Sequence, residues 1–122
     1  MDSVVHFEVP ADDLARAKKF YTESFGWELQ DMPEMSYVMA TTFKKGQPVS
    51  DMPAINGGMP KRGVLTAPSF SINVANIDAA MEKVKAAGGV IVQGKTAVGK
   101  MGFMAYFKDT EGNVLSLWQN AA

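Results

Sequence analysis

The sequence predicts an α+β domain built from two copies of one unit, each made of a strand, a helix and three further strands. Three observations predict it. The segment FEVPADDLARAKKFY, from Phe7, is echoed by SINVANIDAAMEKVK, from Ser71, and each copy leads to a glycine. Short segments with alternating apolar and polar residues surround both helical patterns. The segment Phe103–Gln119 has the pattern of a closing β-hairpin.

Size, charge and cysteine content restrict the possible functions. At 122 residues the chain is expected to form one domain with a substantial core. Its net charge of −1 gives no electrostatic reason to expect nucleic acid or an anionic membrane as a partner. It has no cysteine, which excludes disulfides, thiolate metal sites and cysteine nucleophiles. With no signal-peptide pattern and no run of membrane-spanning length, we expect a soluble cytoplasmic protein.

The first predicted strand runs from Val4 to Val9 and alternates in polarity. One face carries apolar side chains and the other carries two ionisable ones; the first face is Val5, Phe7 and Val9, the second Val4, His6 and Glu8. This pattern is typical of a half-buried strand.

A helix over Leu14–Phe25 follows, because apolar residues recur there at helical spacing. Pro10 ends the preceding strand, Asp12 or Asp13 can cap the helix, and Gly26 is a natural stop. A second strand starts over Trp27–Leu29.

The rest of the first module, about residues 1–60, is predicted as two strands separated by a loop. The third strand is Met35–Phe43, the loop is Lys44–Pro53, and the fourth strand is Ala54–Met59. The paired glycines of the fourth strand suggest a bulge or a close backbone approach.

After a linker at about residues 61–68, a second module over 69–122 repeats the order. We predict a strand over Ser69–Val74 and a helix over Ile77–Ala87, stopped by a glycine pair. Three further strands are predicted over Val90–Gln93, Met101–Lys108 and Val114–Trp118, and Gly94–Lys100 is expected to be partly loop. In the final hairpin, Asp109 closes the bend by bonding its own backbone and Gly112 supplies a positive φ.

Three segments carry a family resemblance: VVHFEVPADDLARAKKFYTESFGWEL, AINGGM and GFMAYFKDTEGNVLSLWQ. Together they resemble the glyoxalase/bleomycin-resistance/dioxygenase superfamily, also called vicinal oxygen chelate, and within it the small predicted glyoxalase-related branch. The resemblance implies two βαβββ modules that form a barrel-like cleft, with the helices on the convex side and ligands in the concave side. It also implies a homodimer.

The alternation assigns side chains to each side of the sheets. Apolar residues are expected beneath the helices: Val5, Phe7, Val9, Phe70, Ile72, Val74, Leu115 and Leu117. The opposite faces carry the candidate site: His6 and Glu8 as possible catalytic residues, and Tyr37, Met39, Asn56, Ser69, Ser71, Asn73, Ser116 and Trp118 as candidate ligand-binding residues. A partly polar face with an aromatic wall suits a small-molecule pocket.

Metal-dependent members of the superfamily place His, Gln or Glu on the first, fourth, fifth and eighth strands. Counting back from the helix puts His6 at the first position, whereas anchoring on Val9 puts Val4 there. The remaining positions fall on uncharged residues: Asn56-Gly57-Gly58 on the fourth strand, Ser69 or Ser71 on the fifth, and Ser116 on the eighth.

His6 is the only histidine, so one chain cannot form a site of two histidines and a carboxylate. His6, even with Glu8, falls short of the three protein ligands usual for a catalytic metal. We therefore expect no metal and no other cofactor, which argues against lactoylglutathione lyase and extradiol dioxygenase activities.

Three functional hypotheses remain open. The first is a metal-independent binding protein for a small, partly aromatic or amphipathic molecule, with Trp118 as a pocket wall. The second is a lyase, isomerase or epimerase acting on a small carbonyl compound, in which His6 and Glu8 transfer protons. The third is a non-catalytic structural or regulatory domain, which exposure of Phe25 and Trp27 would support.

Overall fold

The structure is a computed structural model that describes residues 1–44 and 54–122. The predicted loop over Lys44–Pro53 lies, apart from Lys44, outside the described residues. The chain divides into two compact units: His6–Pro68, here the N-terminal unit, and Met1–Val5 together with Ser69–Ala122, here the C-terminal unit. Among the described residues, neither helix has the length and apolar content needed to cross a membrane.

The N-terminal unit contains the order of elements that the sequence predicts. The elements are β1 Val4–Glu8, whose first two residues belong to the C-terminal unit, α1 Leu14–Phe25, β2 Glu28–Met32, β3 Tyr37–Thr41 and β4 Gly57–Pro60. The strands pair in the order β2-β3-β4-β1, and a short 3₁₀ helix, Pro33–Met35, which was not predicted, separates β2 from β3. The parallel pair is β1 with β4, and the other pairs are antiparallel.

Helix α1 begins and ends at the predicted residues. Asp13 is its N-cap, and its Oδ1 accepts a hydrogen bond from the Arg16 amide at 3.0 Å. The backbone hydrogen bond from Arg16 is also the main reason that the pKa of Asp13 is lowered. Gly26 ends the helix at φ 70°, where a residue with a Cβ is disfavoured.

One face of the N-terminal sheet is covered by α1. Val38, Ala40 and Met59 on this face are fully buried. The Phe7 ring lies 5.4 Å from the Trp27 ring, which in turn stacks at 4.8 Å on Tyr21 of α1. Of the predicted apolar face of β1, Phe7 and Val9 are half-buried, but Val5, near the start of the strand, is 40% exposed.

The elements of the C-terminal unit are β5 Ser69–Asn73, α2 Ile77–Ala86, β6 Val90–Val98, β7 Gly102–Lys108 and β8 Val114–Asn120. Its four strands pair in the order β5-β8-β7-β6, with β5 and β8 parallel. Of the segment Gly94–Lys100, which was expected to be partly loop, only Gly99 and Lys100 form a turn. Strand β6 continues beyond the predicted Gln93 to Val98 and has register shifts between Ile91 and Gln93 and between Gln93 and Thr96.

The core of the C-terminal unit lies between α2 and one face of this sheet. Its buried cluster is Val74, Ile77, Ala105, Phe107 and Leu117, with Ile72 and Leu115 packed against it. The predicted placement of Phe70 beneath the helix was wrong, because this second residue of β5 is 41% exposed and the cluster contacts the strand only from Ile72 onward.

The hairpin between β7 and β8 has the predicted turn chemistry. Asp109 Oδ1 accepts hydrogen bonds from the amides of Glu111 and Asn113 at 2.8 and 2.9 Å. These bonds, with that from Asn113 the largest cause, lower the pKa of Asp109. Gly112 takes the expected positive φ, 85°.

Replacing Leu117 by alanine should lower the free energy of unfolding by on the order of 3 kcal/mol, because it removes a buried branched side chain and leaves a cavity. Leu117 is only 3% exposed and lies in the central cluster. Urea denaturation monitored by fluorescence measures the change. Val90→Ala is the control, since Val90 is 57% exposed and should be near neutral. Equal effects of the two substitutions would show that the faces of the C-terminal sheet are wrongly assigned.

Candidate ligand-binding faces

The face of the N-terminal sheet that points away from α1 carries the candidate residues of the first module. The strand register puts Glu8 opposite Gly58 and Gly58 opposite Met39, so these three form one row across β1, β4 and β3. His6 and Tyr37, each two residues from this row, share its face.

The structure brings His6 and Tyr37 together across 31 residues of sequence. The His6 Nε2 atom lies 2.8 Å from the Tyr37 hydroxyl, and the two rings are nearly parallel at an interplanar angle of 18°. Burial lowers the pKa of His6, because partial removal from water disfavours the charged imidazolium. His6 is therefore mainly neutral at pH 7 and can give or accept a proton at the nitrogen that does not face Tyr37.

Gly58 makes this contact possible. A Cβ built at Gly58 would collide with the hydroxyl oxygen, Cε1 and Cζ of Tyr37, so the tyrosine ring lies directly over the glycine. On the other face a Cβ at Gly57 would collide with Phe7. The close backbone approach predicted for the paired glycines is therefore confirmed, and it places the Tyr37 hydroxyl beside β1.

Glu8 and Asn56, two other predicted site residues, lie in different environments. Glu8 is 5% exposed and lies on the same face as His6, two residues further along β1. The Asn56 Oδ1 atom accepts hydrogen bonds from the amides of Thr42 and Phe43 at 2.8 and 3.1 Å. This oxygen therefore holds the chain on either side of residues 45–53.

The C-terminal sheet has a corresponding face that points away from its core cluster. Paired registers align its side chains in two rows across four strands. One row is Ser71, Ser116, Tyr106 and Gln93, and the other is Asn73, Trp118, Met104 and Thr96. The sequence reading placed only the members on β5 and β8 in the site. It missed those on β6 and β7, although the alternation of Met104 and Tyr106 with Phe103, Ala105 and Phe107 was a usable signal.

Several of these polar groups hydrogen-bond to other residues of the chain, and one has no partner among the described residues. Ser71 Oγ and Ser116 Oγ are buried and lie 2.5 Å apart, and Ser69 Oγ donates to the Val114 carbonyl at 2.6 Å. The Asn73 Oδ1 atom is buried and accepts no hydrogen bond within the part of the chain that the structure describes. The arrangement is a neutral polar face with one buried acceptor that lacks a partner among the described residues.

An aromatic cluster lies at the end of α1 and comprises Phe20, Tyr21, Phe25 and Trp27. Phe25 is 63% exposed, whereas Trp27 is half-buried against Tyr21 and Phe7. The exposure expected of an interaction surface is thus present at Phe25 and only partial at Trp27.

Comparison with known proteins places the chain in a family. Residues 3–42 match a family model described as bleomycin resistance protein-like N-terminal. A glyoxylase-like domain-containing protein of Didymella fabae is 32% identical over 113 residues, covering 87% of this chain and 84% of that protein. The chain belongs to the glyoxalase/bleomycin-resistance/dioxygenase superfamily.

CFP32 of Mycobacterium tuberculosis (strain CDC 1551 / Oshkosh), provisionally named a glyoxylase, is 32% identical over 116 residues; the match covers 92% of this chain but 43% of CFP32. This member thus spans less than half the length of its mycobacterial relative.

Solved structures show that the fold is that of the superfamily. A glyoxalase/bleomycin resistance protein/dioxygenase superfamily member from Vibrio splendidus 12B01 superposes with a TM-score of 0.64 at 15% identity, covering 98% of this chain and 100% of the other. Methylmalonyl-CoA epimerase from Mycobacterium tuberculosis superposes with a TM-score of 0.61 at 15% identity, covering 98% and 88%.

The positions that the resemblance assigns to metal ligands carry His6 in one of the two alignments and otherwise uncharged groups. Ser71 and Ser116 are neutral hydroxyls bonded to one another, Ser69 Oγ donates to a carbonyl, and the Asn56 oxygen accepts from backbone amides, so these uncharged groups do not fit a resident metal ion. Among residues 1–44 and 54–122 no group of three or more His, Cys, Asp or Glu side chains could hold a metal ion. For this superfamily member we therefore derive no chemical step through a metal.

His6 should titrate with a midpoint below its ordinary value of 6.5, because burial favours the neutral ring. NMR measures this directly, since the only histidine gives a single Hε1 signal. A folded pKa below the unfolded one means that the unfolded chain binds the proton more readily. The contribution of His6 to the free energy of unfolding is therefore fully present above pH 6.5, and it is lost as the pH falls through the folded pKa. His6→Gln should remove this part of the pH dependence. A midpoint at or above 6.5 would contradict the assignment.

Gly58→Ala should displace the Tyr37 ring and lower the free energy of unfolding by about 1–3 kcal/mol, as overpacking does. It should also move the His6 Hε1 signal in the same direction as Tyr37→Phe, since both changes break one hydrogen bond. Gly94→Ala is the control, because a Cβ there meets no atom within 4 Å. If Gly58→Ala leaves the His6 signal at its wild-type position, Gly58 does not position Tyr37.

Proposed function

We propose that this superfamily member is a small-molecule binding protein that works without a resident catalytic metal. The observation that carries the proposal is the pair of neutral rows on the C-terminal sheet, which contain Ser71, Ser116 and Trp118. Beside them the Asn73 Oδ1 atom is buried and accepts no hydrogen bond from the described residues. Such a face offers directional hydrogen bonds and an aromatic surface, the combination that small-molecule sites use.

The N-terminal sheet supports the same proposal. Its outward face offers the His6–Tyr37 pair, the thioether of Met39 and the carboxyl group of Glu8. Met side chains adapt to irregular ligand surfaces. A homodimer and a cytoplasmic location belong to the proposal too, and the exposed Phe25 ring is a surface that a second copy could cover.

Ligand-observed NMR with a library of small aromatic and carbonyl compounds should find ligands that bind protein kept in excess EDTA. Protein purified without an affinity tag should carry far less than one metal ion per chain. Ser71→Ala combined with Trp118→Leu should weaken the hits about tenfold or more, while Thr66→Val, an exposed loop control, should not. Near-stoichiometric metal that is lost in His6→Ala, or binding that EDTA abolishes, would instead favour a metal site completed by other ligands or by a second chain.

A second candidate function is proton transfer next to a carbonyl group, as in a lyase, isomerase or epimerase. The observation that favours it is that His6 is partly buried, kept neutral and held by Tyr37, while the Glu8 carboxyl lies on the same strand face. A neutral imidazole or a carboxylate could remove the proton from the carbon next to the carbonyl, leaving an enolate, and the proton could return to either face. The structural similarity to methylmalonyl-CoA epimerase supplies a probe substrate.

If this second function is correct, the protein in D₂O should introduce deuterium into methylmalonyl-CoA, detectable by mass spectrometry, and excess EDTA should not prevent it. His6→Ala and Glu8→Gln should each slow the exchange about 100-fold or more, the usual contribution of a general acid or base. Lys19→Ala, on the exposed surface of α1, is the control. Exchange that persists in both site variants would exclude His6 and Glu8 as the proton-transfer groups.

A further inference from the structure

We propose that Asn73 and Trp118 form a subsite for a flat, uncharged group that carries an N–H or O–H donor. The inference rests on the proposed binding function and names the chemistry of the ligand at one place on the C-terminal sheet.

Asn73 supplies the polar half of the subsite. Its backbone amide donates to the Ser3 carbonyl at 2.8 Å, which fixes this position at the end of β5. Its Oδ1 atom is buried yet accepts no hydrogen bond from the described residues. A buried carbonyl oxygen is strongly destabilised unless it accepts a hydrogen bond, so the group that best complements it is a donor.

Trp118 supplies the flat half. It lies directly opposite Asn73 in the parallel pairing of β8 with β5, so the two side chains are neighbours on one face of the sheet. The indole Nε1–H donates to Asn120 Oδ1 at 2.7 Å, which fixes the ring. A Cβ at Gly102 would collide first with the Gln119 carbonyl oxygen and would lie 2.8 Å from Trp118 Cζ2, so one edge of the indole lies beside this glycine of β7. The indole ring is thus held in place, and its Nε1–H group already donates to Asn120.

The neighbours of this pair determine what kind of donor is preferred. On the row of Asn73 and Trp118 the next side chains are Met104 and Thr96, and on the adjacent row Ser71 and Ser116 bond each other. None of these side chains is ionisable at neutral pH. Because these neighbouring side chains offer neither a carboxylate to balance a cation nor a cationic group to balance an anion, they favour a neutral donor over a charged one. Aromatic N–H compounds, phenols and planar amides meet these requirements.

Indole and benzofuran form a matched pair of probes, because they have nearly the same shape and differ in the presence of the N–H donor. Each is titrated into ¹⁵N-labelled protein while the Trp118 indole and Asn73 side-chain signals are followed. Indole should shift both signals and bind about five-fold more tightly than benzofuran, the usual range for one hydrogen bond. Asn73→Leu should reduce this preference to about one, while Asn73→Asp, which keeps an acceptor oxygen, should retain a preference.

Trp118→Leu should weaken both probes by a similar factor, and Thr66→Val, on the exposed loop, should change neither. Equal binding of the two probes by wild-type protein overturns the subsite, and this test requires no variant to fold. A preference that persists in Asn73→Leu also overturns it, as does the absence of any shift at Trp118. These failures are separate from failure of the proposed function, which requires that the wider library, tested on the same protein, yields no ligand at all.

Discussion

The constraint on which the rest of the structure depends is that each four-stranded sheet buries one face beneath one helix. In a strand, successive side chains point to opposite faces, so covering one face fixes the identity of the other. In the C-terminal unit, the burial of Ile72, Ala105 and Leu117 on the α2 side forces Ser71, Tyr106 and Ser116 to the opposite side. A slip of one residue would place the serines in the apolar core, so the hydrophobic pattern that fixes the register also fixes which side chains lie on the opposite face.

Both units have a glycine next to an aromatic side chain on this outward face. Tyr37 lies over Gly58 of the neighbouring strand, and one edge of the Trp118 indole lies beside Gly102. A strand glycine weakens the strand through lost packing and greater chain entropy. At Gly58 the missing side chain leaves room for the tyrosine ring over the backbone, which brings the Tyr37 hydroxyl to His6. The Trp118 indole is held by its hydrogen bond to Asn120.

The sequence was sufficient for the local parts of this account, because they depend on short-range chemistry. The Asp13 cap, the Gly26 stop and the Asp109 turn follow from residues within a few positions of one another. The contact between His6 and Tyr37 depends on the order and register of three strands, which no local pattern encodes. Strand β6 was misjudged because Gly94 has the pattern of a loop, whereas the sheet accommodates it through register shifts. The burial of Val5 and Phe70 was wrongly predicted, because alternation does not indicate how much of a strand the helix covers.

We propose that ligands bind the faces of the sheets that point away from the helices. Crystals of the protein soaked with a fragment library would test this proposal, since electron density locates each bound fragment without assuming its chemistry. We expect fragments in contact with Trp118 and Asn73, or with Tyr37 and His6. Fragments bound only on the helices, for example in the open groove of α1 lined by Lys18, Lys19 and Thr22, would contradict it.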